Sequence, residues 1–301
     1  MTYSNKISME DFLISGKAVV EKALMSYCCD KPDGAPRRLW DAMSYSLLAG
    51  GKRVRPILCL ETAEMFGADQ EISMPFAVAV EMIHTASLIH DDLPCMDNDS
   101  LRRGKPTNHV KFGEPLALMA GTSLFIAAFE HAIANGRYAG QAKTVKAVGI
   151  LMKAAGPAGI HGGQTLDTDK KSQRKERNFV FDIALYKTAC LIQASAMCGA
   201  VIGGATDEEL SIVKTYSRHL GLAFQIADDI LDITADTSSL GKTPGKDIEQ
   251  GKITFPSSFG YERSVKLVEE QSQLAVEEAL KLGPKGLFFA DLAVYLASRS
   301  K

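Results

Sequence analysis

The chain has 301 residues, 46% of them hydrophobic and 23% charged, with a formal net charge of -2. That composition describes a folded soluble protein with ample core, long enough for one large domain or two ordinary ones. The near-neutral balance argues against a nucleic-acid or membrane-surface partner.

In chain order, Met1 to Lys6 leads into no apolar leader segment, and Lys, Glu and Arg residues interrupt the apolar runs, so no bilayer span and a cytoplasmic location are expected. Apolar residues recur at three- and four-residue spacing through 40–48, 76–89 and 116–133, whereas sustained alternation is absent. Breaks at Lys31-Pro-Asp-Gly-Ala-Pro36, 66–69, Gly156-Pro157, Gly203-Gly204, 241–251 and Gly283-Pro284 separate roughly ten helices. No composition shift marks a boundary, so residues 1–301 are expected to form one all-α domain. The charge run over 168–177 (TDKKSQRKER) reads as a solvated loop between helices. Cys28, Cys29, Cys59, Cys95, Cys190 and Cys198 form no C-x-x-C pair and sit mostly in apolar helical context, as reduced buried thiols do.

Polar chemistry begins at Gly50-Gly51-Lys52-Arg53-Val54-Arg55-Pro56, where cations stand at a helix beginning. Glycines there allow close approach, and free N–H groups favour anions. Next come Asp91, Asp92 and Asp97 with Arg102-Arg103 behind them, and then Asp228, Asp229 and Asp232. Six carboxylates gathered in apolar helical surroundings repel one another unless hard divalent cations neutralise them, which points to magnesium and a phosphorylated substrate. Asp228 and Asp232 lie four apart, on one helix face. Asp91 and Asp97 are six apart and would diverge on an ideal helix, but Pro94 must end or distort the helix, which lets Asp97 fold back toward Asp91. Lys187, Lys242, Lys246 and Lys252 supply further cations, and arginine forks suit bidentate phosphate contact. The His90-Asp91 dipeptide could hint at an HD-type phosphohydrolase, but His109, His131 and His161 make no matching ligand pattern.

The ordered set GGKRVRP (50–56), DDLPCMDNDSLRRGKPTNH (91–109), GGQTLD (162–167), YKT (186–188), FQIADDILD (224–232) and GKTPGKD (241–247) resembles the trans-type (E)-polyprenyl diphosphate synthases, over nearly the whole chain. The resemblance implies a bundle of about ten core helices around a deep cavity, usually a homodimer, that condenses isopentenyl diphosphate with an allylic diphosphate and releases inorganic diphosphate. It implies three magnesium ions per active site, held by Asp91, Asp92, Asp97 and Asp228, with Asp229 and Asp232 completing the second cluster partly through water. Arg102, Lys187, Thr188, Gln225, Lys242 and Lys252 match positions that hold the allylic diphosphate. Lys52, Arg55, His84 and Arg103 match those that hold isopentenyl diphosphate. No nucleophile and no protein general base is assigned, because the departing diphosphate can take the proton.

Product length falls to the residues one to two turns ahead of Asp91, namely Ser87 and Ala86, both small. An aromatic at position 86 is common in short farnesyl synthases of this family, and its absence resembles geranylgeranyl (C20) synthases. Phe125 and Phe129, one turn apart, are placed to close the cavity at C15 instead or to be plain core. Thr122 and Ser100 stand where many relatives carry aspartate. Two other classes remain: a terpene cyclase, which should replace the second cluster with an Asn/Asp-Ser/Thr-Glu motif that is absent, and a non-catalytic regulatory subunit, which should have lost a cluster or the Arg pair.

Overall fold

The computed structural model describes residues 8–174, 176–234 and 252–298. Among these residues fourteen α-helices follow one another: α1 Met9–Cys29, α2 Arg37–Leu47, α3 Val54–Met65, α4 Gln70–Asp91, α5 Asn108–Phe112, α6 Glu114–Asn135, α7 Gln141–Ala155, α8 Ile160–Thr168, α9 Phe179–Ala184, α10 Cys190–Gly203, α11 Asp207–Thr234, α12 Phe255–Phe259, α13 Tyr261–Leu280 and α14 Leu287–Ser298. Three of them have six residues or fewer, so the expected count of about ten core helices holds.

The helix α4 is apolar on nearly every side, and Phe76, Ala77, Val80, Met82, Ile83, Ala86 and Ile89 are all buried. A helix without a polar face belongs at the centre of a bundle, and α4 packs against α1, α3, α6 and α10. The main core runs from Phe12 and Trp40 through α4 to Phe289. A second cluster, with Val180, Ile226, Ile230, Phe255 and Val268, joins α9, α11, α12 and α13. The 28-residue α11 therefore spans both, its first half in one core and its aspartate-bearing half in the other.

Glycine permits the closest helix contact. A Cβ at Gly199 of α10 would lie 2.2 Å from the Cys59 carbonyl oxygen of α3, and one at Gly203 would lie 2.6 Å from that of Ala63. The two helices meet backbone to backbone along this seam.

Strand appears only as a two-residue hairpin among the described residues, β1 (Leu101–Arg102) with β2 (Lys105–Pro106). Its connecting residues Arg103 and Gly104 have φ of 55° and 73°, the left-handed pair that a tight hairpin needs. The expectation that charges break every apolar run is corrected. The segments Gln70–Asp91, Glu114–Ala139 and Phe179–Gly203 are long and apolar enough to cross a membrane by length and composition. Their hydrophobicity follows largely from packing, since 72% and 67% of the first and third windows are buried, whereas only 39% of the α6 window is.

Gly199→Ala should destabilise the fold by about 1–3 kcal/mol, because a new methyl must push α3 and α10 apart in a packed core. Urea unfolding of the two proteins checks it, and equal midpoints would mean that the seam yields freely.

Candidate active site

The chain turns off α4 where Pro94 requires it, and the turn returns upon itself. The Asp97 backbone N–H donates to the Asp91 carbonyl oxygen at 2.8 Å, so the carboxylates that an unbroken helix would separate now share a site. A cavity of about 220 Å³ lies between them and the last turns of α11, walled by Asp91, Asp97 and Asp99, by Asp228 and Asp229 opposite, and by Asp167, Arg102, Lys187 and Lys252.

Each cation arrives from a different segment. Arg102, on β1, donates from Nε to Asp92 at 3.0 Å and from Nη2 to Asp99 at 2.8 Å. Lys252, just ahead of α12, sits 3.0 Å from Asp97. Lys187 lies in a single turn of π-helix, Leu185–Ala189, between α9 and α10, and bonds Asp167 of α8 at 2.5 Å. A π turn inserts one extra residue and re-aims the side chains it carries. The backbone there is also tightly abutted, since a Cβ at Gly163 would meet the Lys187 nitrogen at 2.1 Å. In the same turn, Thr188 donates its hydroxyl to Gln225, whose amide donates to Asp229.

The two carboxylate clusters divide unequally. Asp91, Asp97, Asp228 and Asp229 line the cavity. Asp92 is buried against Arg102 outside that lining. Asp229 also accepts the Phe255 N–H at 2.9 Å, anchoring the start of α12. Asp232 is buried and outside the lining. Lys242 and Lys246 lie outside the described residues.

The charges perturb one another. Burial, outweighing the nearby Lys187 and Arg102 cations, pushes the Asp91 carboxyl up to about 6, and burial pushes Asp92 up to about 6 despite its Arg102 partner. Burial also acts upward on Asp97, but Lys187 and Lys252 together hold it below the usual carboxylate range. Lys187 is raised despite its burial, because Asp91, Asp167 and Asp97 surround it. An all-oxygen donor set, with Asp91 hard to ionise and Asp97 held ionised by its lysines, fits a hard divalent metal. Among the described residues no three metal-ligating side chains form a ready-made cage. Magnesium usually keeps several waters and uses few carboxylates beside substrate phosphates, and Asp91, Asp97 and Asp228, which line the cavity, are the carboxylates that could hold it.

A second cationic group stands at the start of α3. Arg53 is its N-cap, in the left-handed region at φ 55°, and Lys52 just before it is exposed. Arg55 lies over the Phe224 ring at 5.6 Å, and its buried Nε has no hydrogen-bond partner among the described residues. Burial first, then Arg55, Arg103, Arg53 and Arg102, hold His84 well below its usual range, so its imidazole is neutral. Arg103 donates to the Gly50 carbonyl, and a side chain at Gly51 would collide with its guanidinium at 2.7 Å. The glycines thus give the arginine its berth, and the four residues matched to isopentenyl diphosphate come together around α3 and the hairpin turn.

Below Asp91, Ala86 is fully buried and Ser87 donates its hydroxyl to the His84 carbonyl. Phe125 of α6 packs on His90 of α4 and on His161 of α8, with ring centroids 5.8 and 5.0 Å away. Phe129 is only half-buried, while Thr122 and Ser100 are exposed, outside the cavity lining. Three partners in this site had no role assigned by sequence reasoning: Asp99, Asp167 and Glu81. Asp167 stood within the quoted GGQTLD motif. Glu81 signals itself only as an acid in an otherwise apolar helix.

A family model described as polyprenyl synthetase matches residues 36–281. The geranylgeranyl pyrophosphate synthase of Catharanthus roseus, named chloroplastic, is 41% identical over 98% of this chain and 83% of its own length. The "heterodimeric geranylgeranyl pyrophosphate synthase large subunit 1", also chloroplastic, of Arabidopsis thaliana is 46% identical over 89% of this chain and 73% of its own. A geranyltransferase from Helicobacter pylori, solved with magnesium and isoprenyl diphosphate, superposes with TM-score 0.83 at 29% identity over 98% of both chains. These relatives overturn the cytoplasmic location, because each curated one is named chloroplastic. A search for an apolar leader is blind to the polar, Ser- and Arg-rich segments that direct proteins to plastids.

Asp91 and Asp92 have folded values above the ordinary carboxylate value of 3.8. The native state therefore binds more protons, and without metal their contribution to stability declines as pH rises from about 4 through 6. Asp91→Asn should melt higher than the parent above pH 6 without metal and lose most of the stabilisation added by magnesium. Melting curves with and without magnesium test this, and a lower melting point for the metal-free variant at pH 7.5 would contradict it.

Proposed function

The chain belongs to the polyprenyl synthetase family, and from that premise we propose that it condenses isopentenyl diphosphate with dimethylallyl, geranyl or farnesyl diphosphate to give the C20 product geranylgeranyl diphosphate. It is a prenyltransferase of the all-α isoprenoid synthase fold. The observation that carries the reading is the pairing of two cationic environments. In one, cations are interleaved with carboxylates across α4 and α11; in the other, Arg55 and Arg103 gather with a neutral His84 imidazole around the buried Glu81.

Magnesium, three ions in this proposal, supplies the charge neutralisation that lets the allylic diphosphate depart. Arg102, Lys187 and Lys252 grip that diphosphate, Lys242 joins them, and Gln225, held by the Thr188 hydroxyl, lines the same wall. Asp91, Asp97 and Asp228 hold the metal, with Asp92 keeping Arg102 and Asp229 the start of α12 in register and Asp232 completing the second cluster. As the C–O bond breaks, positively charged donors fixed in place stabilise the growing anion without having to reorganise. With its diphosphate held by Lys52, Arg55, His84 and Arg103, isopentenyl diphosphate attacks the allylic carbon through its double bond, and the departed diphosphate accepts the proton lost from the new chain. Apolar Leu88, Val180, Ile183 and Ala184, which line the cavity, keep water from the cation.

Three further statements belong to the proposal. Residues 1–301 act as one synthase domain, supported by a family match over 36–281. The location is plastid, supported by the names of the relatives. The assembly is a homodimer through α6, whose Met119, Ile126 and Ile133 recur every seven residues and are 50%, 64% and 59% exposed. Such a stripe is a surface that water disfavours.

With magnesium, isopentenyl diphosphate and each allylic primer, mass analysis should find a C20 product, and Ala86→Phe should shift it to C15. No elongation with any primer would defeat the reaction, and unchanged C20 from the variant would remove Ala86 from the floor. Ile126→Glu should convert dimer to monomer in light scattering, whereas a dimer that survives would place the interface elsewhere.

A further inference from the structure

Glu81 is a carboxylate in an unexpected place. It sits in the middle of α4, 1% exposed, ten residues ahead of Asp91, beside a group of residues assigned to an anion. A negative charge there repels the diphosphate, so its presence calls for a reason. Its contacts supply one. Arg53 donates to Glu81 from Nη1, and Arg103 Nη2 stands 3.7 Å from the same oxygen. Arg55 also feels this carboxylate, which opposes the loss of charge that burial imposes on it.

Three arginines from two separate segments thus share one counter-ion on a third. Like charges in a buried space repel strongly, more so as water is excluded. Arg53 is in turn fixed by Glu21 of α1 at 2.8 Å and by the Leu47 carbonyl at 2.7 Å, with its side chain fully buried. It is the residue that caps α3 in a left-handed conformation, so its position sets where Arg55, two residues on, emerges. His84 lies three residues after Glu81, on the same face of α4.

We propose that Glu81 is a positioning residue for isopentenyl diphosphate: it gathers Arg53 and Arg103 so that Arg55 and Arg103 stand around one diphosphate before it arrives. The inference rests on the reading that Lys52, Arg55, His84 and Arg103 take that substrate. Removing the carboxylate adds net positive charge, which by itself would favour the anion. The loss of order outweighs this, because an unbalanced guanidinium group relaxes apart and must be drawn together again by the substrate.

Steady-state kinetics on the full chain, varying each substrate separately, tests it. Glu81→Gln should raise KM for isopentenyl diphosphate about tenfold, the size of one charge-assisted hydrogen bond, with KM for the allylic diphosphate changed less than twofold. Glu81→Asp keeps the charge at shorter reach and should fall between the two. It carries the test alone if the Gln variant does not fold. An unchanged or lower KM for isopentenyl diphosphate overturns the proposal. So does a parallel rise in both KM values, which is what a merely structural role would produce. Arg55→Ala is the control on the premise: a KM for isopentenyl diphosphate that ignores it defeats the substrate assignment, whereas a rise there with a silent Glu81→Gln defeats only the role of Glu81.

Discussion

Carboxylates placed at the wrong end of a helix govern this structure. Asp91 is the last residue of the 22-residue α4 and Asp92 its C-cap, where the unpaired carbonyls already present partial negative charge. Asp228 and Asp229 sit in the last two turns of the 28-residue α11. Left alone, these groups would repel both each other and their own helices, and burial raises the cost further. Three otherwise unrelated features relieve it: the hairpin that carries Arg102, the π turn that carries Lys187 and the segment before α12 that carries Lys252. Each delivers one cation to the same cavity. Burial keeps Asp91 and Asp92 hard to ionise in spite of these cations, so a further positive charge in the cavity would be favoured.

In the proposed function, the opposite helix polarity would serve the other diphosphate. The start of α3 presents free N–H groups and arginines, an arrangement that attracts an anion with no metal in between. The two ends suit two different tasks. A diphosphate that must leave needs charge neutralisation that grows as its bond breaks, which a divalent metal held by Asp91, Asp97 and Asp228 would supply in the proposed function. A diphosphate that must stay attached needs firm binding without activation of its C–O bond, and fixed guanidinium groups do that. On the proposed function, helix direction would therefore separate the substrate to be ionised from the one to be preserved.

Much of this was legible in the residue order, for physical reasons. Pro94 predicts the break that brings Asp97 back to Asp91, and the backbone bond between them is the result. The glycines at 50 and 51 predict close approach, and Arg103 occupies the space they leave. Other features leave no local trace. A π turn has no composition of its own, so although Lys187 stands in the quoted YKT motif, the turn that aims it is invisible in the residue order. Glu81 looks like a polar interruption of an apolar helix until the fold brings Arg53 and Arg103 to it. The apolar surplus of α6 cannot be divided between core and surface by counting, because only its packing partners decide which face is covered. Location failed for a different reason, since an apolar leader is only one kind of address.

Chain length is where packing and chemistry meet most directly. At Gly121 of α6 a Cβ would lie 2.4 Å from the His90 ring and 3.3 Å from the Ala86 carbonyl, so α6 presses on α4 beneath the metal-binding end. Phe125, one turn further along α6, is wedged between His90 and His161 and so is braced from two helices at once. A growing apolar chain can displace a loosely packed side chain at modest cost, but a ring held on both sides resists. In the proposed function Ala86 and Phe125 would act together: the small residue would leave room beside α4, and the ring, braced on both sides, would limit how far a growing chain could use it.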